Sequence, residues 1–180
     1  MGLVDLHQEP CAGKSLLRST GNLMMRDFDV RFGAPRNGWM TLTVVAGDQE
    51  WQQDVSDVPC DSIRSLVSSL SMLLQGSMET TVHWSLEPEY AQWIFRRNGS
   101  CLDFSIRDSA RTNPRLVYRA NAREFVHRVM KALGDLAALH DWPDAECPVA
   151  SWSWPFPKAE LSQLRSTWVS TFKEPSQKSS

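Results

Sequence analysis

The sequence predicts an α+β fold: a largely antiparallel sheet of about six to seven strands, ordered βββα-ββββα-α, with helices packed on one face. Two observations carry this. Apolar residues alternate at a period of two through most runs, then switch to spacings of three and four in three longer segments. Turn clusters separate the strand-like runs by only a few residues, which suits hairpins rather than parallel crossovers. A chain of 180 residues suits one domain. That domain is expected over 21–172, after a loosely ordered segment at 1–20 and before a polar, disordered tail at 173–180.

The elements follow in order. "MMRDFDVRF" at 24–32 alternates, with Phe28, Val30 and Phe32 on one side and Asp27, Asp29 and Arg31 on the other. "GAPRNG" at 33–38 is a turn cluster. "WMTLTVVA" is a β-branched second strand. "EWQQDVS" is a third, with Trp51 and Val55 on one side. In "PCDSIRSLVSSLSMLLQG" the apolar residues Ile63, Leu66, Val67, Leu70, Leu73 and Leu74 form a helical stripe. Pro59 suits its first turn and Gly76 its C-terminal cap. Three strands are expected between 79 and 107 and a fourth at "RLVYRA". Asn121 and Glu124 then suggest a capping box. It opens a helix striped by Phe125, Val126, Val129, Met130, Leu133, Leu136 and Ala137. "KAELSQLRSTWVSTF" repeats helical spacing through Leu161, Leu164, Trp168 and Phe172. Between these helices, "DWPDAECPVASWSWPFP" holds too many breakers for regular structure. Its "SWSWPFP" is read as an extended cover seating Trp152 and Trp154 in a groove, with an aromatic partner surface as the alternative.

The richest stretch is "VHWSLEPEYAQWIFRRNG" at 82–99. If Asn98-Gly99 is a two-residue type I′ loop, Phe95 faces Leu102, Trp93 faces Phe104 and Ala91 faces Ile106. If "EPEY" is a four-residue loop, Trp84 faces Trp93 and Val82 faces Phe95. Both guesses place Val82, Trp84, Leu86, Ala91, Trp93, Phe95, Leu102, Phe104 and Ile106 inside. The opposite face then carries three cross-sheet rows: His83, Ile94, Asp103; Thr81, Arg96, Cys101; and Ser85, Gln92, Ser105. Glu87, Glu89 and Arg107 lie at the ends. Such a polar face is either simply solvated or a partner-binding surface.

Composition narrows function. Net charge is −2, which excludes a uniformly basic nucleic-acid coat. Residues 96–131 nevertheless hold nine Arg or Lys against three acids. Within them Arg111, Arg115, Arg119, Arg123 and Arg128 support an alternative reading as a basic patch for nucleic acid or an acidic protein. The four cysteines, Cys11, Cys60, Cys101 and Cys147, form no CxxC pair, and the histidines show no ligand spacing, so no metal or cofactor is expected. The N-terminus lacks the apolar run of a signal peptide, and nothing approaches the roughly 20 apolar residues of a membrane span. The chain is therefore expected to be cytoplasmic with reduced thiols. "GKS" at 13–15 lacks the upstream glycine of a phosphate loop. Cys101, His83 and Asp103 fall in adjacent rows, so a small Cys/His enzyme on the exposed face is a further alternative. The leading expectation assigns no catalytic residues.

The outline also carries a resemblance. "WMTLTVVAGDQEWQQDVSDVPCDSIRSLVSSLSMLL" followed by "VHWSLEPEYAQWIFRRNGSCLDFSIRD" resembles the immunity proteins of bacterial polymorphic toxin systems. These runs cover about a third of the chain. The resemblance implies a non-enzymatic protein that binds one toxin or effector domain and blocks it. It carries over no functional residues. The partner surface expected from the polar face comprises His83, Glu87, Glu89, Gln92, Arg96, Asp103 and Arg107.

Overall fold

The computed structural model describes residues 28–139, 142–143 and 151–172. Seven strands form one antiparallel sheet in chain order: β1 (Phe28–Phe32), β2 (Trp39–Ala46), β3 (Gln49–Ser56), β4 (Glu79–Ser85), β5 (Tyr90–Asn98), β6 (Cys101–Asp108) and β7 (Leu116–Asn121). The helices are α1 (Ser62–Leu74), α2 (Ala122–Leu139) and α3 (Lys158–Phe172). The α+β antiparallel expectation holds. The segments at 1–20 and 173–180 lie outside the described residues.

The strands turn most of their apolar residues to one face. Val30 pairs with Val44, which pairs with Trp51; Val82 pairs with Trp93, which pairs with Ile106. All six are buried. The helices cover this inner face only in part. α1 packs on β4, α2 packs on β1, β6 and β7, and α3 lies across α1 and α2. The sheet covers the rest by curling on itself. β3 and β4 share a single pair, Ser56 with Ser85, and the sheet folds at that seam. Phe28 of β1 consequently stacks on Tyr118 of β7 at 5.5 Å and meets Phe104 of β6 at 5.9 Å. Trp51 meets Trp93 at 6.2 Å. At the sheet edge, Val117 N donates to the Gln49 side chain at 3.1 Å, so a side chain satisfies a backbone group that would otherwise face solvent.

Local chemistry sets the helix ends. α1 begins one turn later than Pro59 suggests, because Asp61 is its cap: Oδ1 accepts from Arg64 N at 2.9 Å. At its far end Gly76 has φ +109°, with Gly76 N bonding Leu73 O and Ser77 N bonding Met72 O. That is a Schellman closure. Asn121 caps α2 through Glu124 N, but the Glu124 carboxylate turns outward to Arg128, so only half of the capping box forms.

"SWSWPFP" covers the core through Trp152, whereas Trp154, expected in the same groove, stays exposed. Trp152 is buried, Ser151 O accepts from Gly38 N, Ser153 N donates to Asp57 Oδ2 at 2.5 Å, and Trp154 Nε1 donates to Asp57 O at 2.6 Å. One carboxylate and two carbonyls thus fasten the segment along the β2–β3 rim.

Candidate site on the outer face of strands β4 to β7

Both loops of the central meander sit one residue from their expected places. The β5–β6 loop is Gly99-Ser100, since Asn98 pairs with Cys101. The β4–β5 loop is 86–89, since Ser85 pairs with Tyr90 and Leu86 N donates to Glu89 O. Moving a loop by one residue moves each cross-strand pair by two. Phe95 therefore faces Phe104 rather than Leu102, and Trp84 faces Ala91 rather than Trp93. A shift of two keeps every side chain on its side. The expected interior set is buried, with Leu86 partly so.

The rows of the outer face do change. One reads His83, Gln92, Arg107; the next Thr81, Ile94, Ser105, Val117; the next Glu79, Arg96, Asp103, Arg119; the last Asn98, Cys101, Asn121. The expected neighbours Arg96 and Cys101 are replaced by Arg96 and Asp103. The third row alternates in charge across four strands. Arg96 Nε donates to Glu79 Oε2 at 2.6 Å, and Arg119 holds Asp103 through two bonds of 2.7 and 3.1 Å. The hydrogen bond from Arg96 holds the Glu79 carboxyl below its ordinary range, and the same bond raises Arg96. Glu79 is not among the expected site residues, and Arg119 is expected only in the alternative basic patch. Their place depends on the two loop positions and on the register of β7.

At the other end, Gln92 Nε2 donates to His83 Nε2 at 2.9 Å in this amide orientation, which calls for the neutral ring with its proton on Nδ1. Tyr90 packs edge-on against that ring at 5.4 Å. Arg107 completes the row, and its Nε is buried without a partner among the described residues. Glu87 and Glu89 lie in the loop beyond Ser85. Glu87 accepts from Ser56 Oγ at the β3–β4 seam, and both glutamates are exposed. Five of the seven expected residues thus share one surface, and Glu87 and Glu89 lie at its margin, Glu87 bonded across the seam.

Two alternative constellations do not assemble. Cys101 stands three rows from His83, about 20 Å along the strands at two residues per row. Cys101 is also disulfide-bonded, while Cys60 is a free thiol. The expectation of four reduced thiols is therefore corrected: sequence spacing alone says nothing about which distant cysteines meet. The five arginines of the expected basic patch also separate. Arg115 pairs with Asp108 at 3.2 Å, Arg119 with Asp103, and Arg128 with Glu124 at 2.6 Å. Arg123 lies over the Trp168 ring at 5.5 Å, and Arg111 sits in the turn after β6. Among the described residues, no three of His, Cys, Asp and Glu gather closely enough to hold a metal ion. None of the described helices is long and apolar enough to cross a membrane.

The class defined here is an α+β protein with a curled seven-stranded meander and an outer face of alternating charge. No family model matches the chain, and neither a curated protein nor a solved structure does.

Proposed function

We propose that this chain is a non-enzymatic protein-binding module, of the kind that inhibits a toxin or effector domain, and that it binds through the outer face of β4 to β7. The supporting observation is the Glu79–Arg96–Asp103–Arg119 row. It fixes two carboxylates and two guanidiniums in an order that a partner of complementary pattern can read. Open sheet surface of this kind excludes water poorly, which suits recognition better than covalent chemistry. Tyr90 and Val117 add apolar area at either end of the face. The inhibitor reading extends the resemblance noted above. The disulfide at Cys101 fits an oxidising compartment better than the reducing cytoplasm first expected.

The test is affinity capture with the wild type and an Arg96→Glu, Asp103→Arg double variant. The exchange leaves net charge unchanged but turns the alternating row into two adjacent acids beside two adjacent bases. A partner retained by the wild type and lost by a folded variant supports the surface; equal recovery by both would sink it. A toxin-like reading frame beside the gene would support the inhibitor reading specifically.

A further inference from the structure

Helices α2 and α3 leave a groove of about 300 Å3, lined by His127, Met130, Lys131, Arg165, Trp168 and Val169. Its floor is apolar: Met130 is buried, Trp168 is half-buried, and Val169 is 53% exposed. Its rim is cationic. Neither Lys131 nor Arg165 forms an ion pair with a described residue. The Arg123 guanidinium lies over Trp168, and His127 stacks on the same indole at 5.2 Å. The acids of these helices are mostly engaged elsewhere, Glu124 with Arg128 and Glu160 with Arg64. Only Asp135 is left without an ion pair, and it is exposed.

Gly134 supplies an independent observation. It lies inside α2, where glycine is a poor helix former. A β-carbon there would meet Arg165 Nη2 at 2.5 Å. The missing side chain is what seats the Arg165 guanidinium against α2, at the edge of the groove.

We propose that this groove binds an acidic amphipathic helical segment of a protein partner. Its apolar stripe would lie on Met130, Trp168 and Val169, and its carboxylates would meet Lys131 and Arg165. Charge complementarity selects an acidic occupant. The concave shape between two helices favours a helix over a flat anionic membrane, which a protruding apolar surface would suit better. This surface lies in the helical layer, away from the β4–β7 face, and does not depend on that reading.

The experiment is fluorescence anisotropy on the full chain with two labelled synthetic peptides. One carries leucines at i, i+3, i+4 and i+7 with glutamates between them; the other has lysines in place of the glutamates. The acidic peptide is expected to bind, the lysine peptide to fail, and added salt to weaken the acidic complex. Lys131→Glu combined with Arg165→Glu should lower its affinity at least about tenfold. Gly134→Ala, which displaces Arg165 alone, should lower it less. Circular dichroism checks folding, and a Lys131→Gln, Arg165→Gln variant replaces the reversal if the latter unfolds; it too should bind more weakly. Absence of saturable binding by about 1 mM, equal binding of both peptides, or unchanged affinity in the folded variants would overturn the proposal. So would binding only to vesicles of phosphatidylglycerol and phosphatidylcholine, which would make the groove a membrane contact.

Discussion

Asp57 closes over Gly38: a β-carbon on Gly38 would stand 3.0 Å from Asp57 Oδ1. The same buried carboxylate accepts from Ser153 N, and the Asp57 carbonyl accepts from Trp154 Nε1. One residue thereby ties the β2–β3 rim to the tryptophan cover. Asp57→Ala leaves the carbonyl in place but strips Ser153 N of its acceptor. The expected cost is about 1–3 kcal/mol, read as a lower midpoint in urea unfolding. Asp57→Asn, which keeps an acceptor oxygen, should cost less.

Gly38 also carries φ +81°, and Asn37 before it carries φ +51°. Arg36 and Trp39 exchange both backbone bonds around them, at 2.8 and 3.0 Å. This is the type I′ signature that the sequence suggested for Asn98-Gly99. The chain has two Asn-Gly pairs, and the tight primed turn forms at the first. At the second, Gly99 has φ +60° while Asn98 ends β5 outside the left-handed region. Gly99→Ala should therefore cost about 1 kcal/mol through backbone strain. Asn98→Ala should change stability by less than about 0.5 kcal/mol. Thermal unfolding of the two variants measures the difference, and equal losses would contradict the observed register.

How far the sequence could be read follows from these cases. Period-two alternation placed Trp84, Trp93 and Phe104 inside correctly, because a loop displaced by one residue shifts pairing by two and leaves the faces unchanged. Pairing itself was not legible, because choosing Gly99-Ser100 over Asn98-Gly99 takes packing across the whole sheet. The outer face inherits that error: which residues lie on it is legible, but its rows are not. Glu79 is absent from the expected residues, and Arg119 is read there only as part of a basic patch, because the two complete a row only when four strands are in register. The helical stripes of α1 and α2 were plain. The curl that brings Phe28 onto Tyr118 was not, since it comes from a seam of one residue pair between β3 and β4.

Trp93 sits at the centre of that curl, within 6.5 Å of Trp51, Trp84, Phe95 and Phe104 by ring centroids. It is fully buried. Trp93→Ala should cost about 3–5 kcal/mol by leaving a cavity among rigid rings. Trp93→Phe should cost much less, because it keeps most of the ring and removes an indole N–H that has no partner among the described residues. Urea unfolding of both variants tests this, and equal losses would show that the neighbouring rings collapse into the space.

The thiols give a chemical prediction. Alkylation of the native protein with iodoacetamide should modify Cys60 and leave Cys101 untouched, because Cys101 is disulfide-bonded. After reduction under denaturing conditions both should react. Peptide mass spectrometry reads the two patterns. Labelling of Cys101 without reductant would show that thiol to be free.

The charged row should leave its mark on the pH dependence of stability. Bonding by Arg96 depresses Glu79 below its ordinary value of 4.5 in the folded chain. The contribution of that bond is then fully present above the ordinary value and is lost as pH falls through the depressed one. Glu79→Gln removes the titrating group. The variant should melt below the wild type at neutral pH, and the gap should narrow as pH drops below the ordinary glutamate range. Both residues are well exposed, so the gap should be small and should shrink further in about 1 M salt, where the screening length falls to roughly 3 Å. Differential scanning calorimetry across that range measures it. A gap that stays constant from neutral to acid pH would mean that Glu79 contributes through packing of its side chain rather than through its charge.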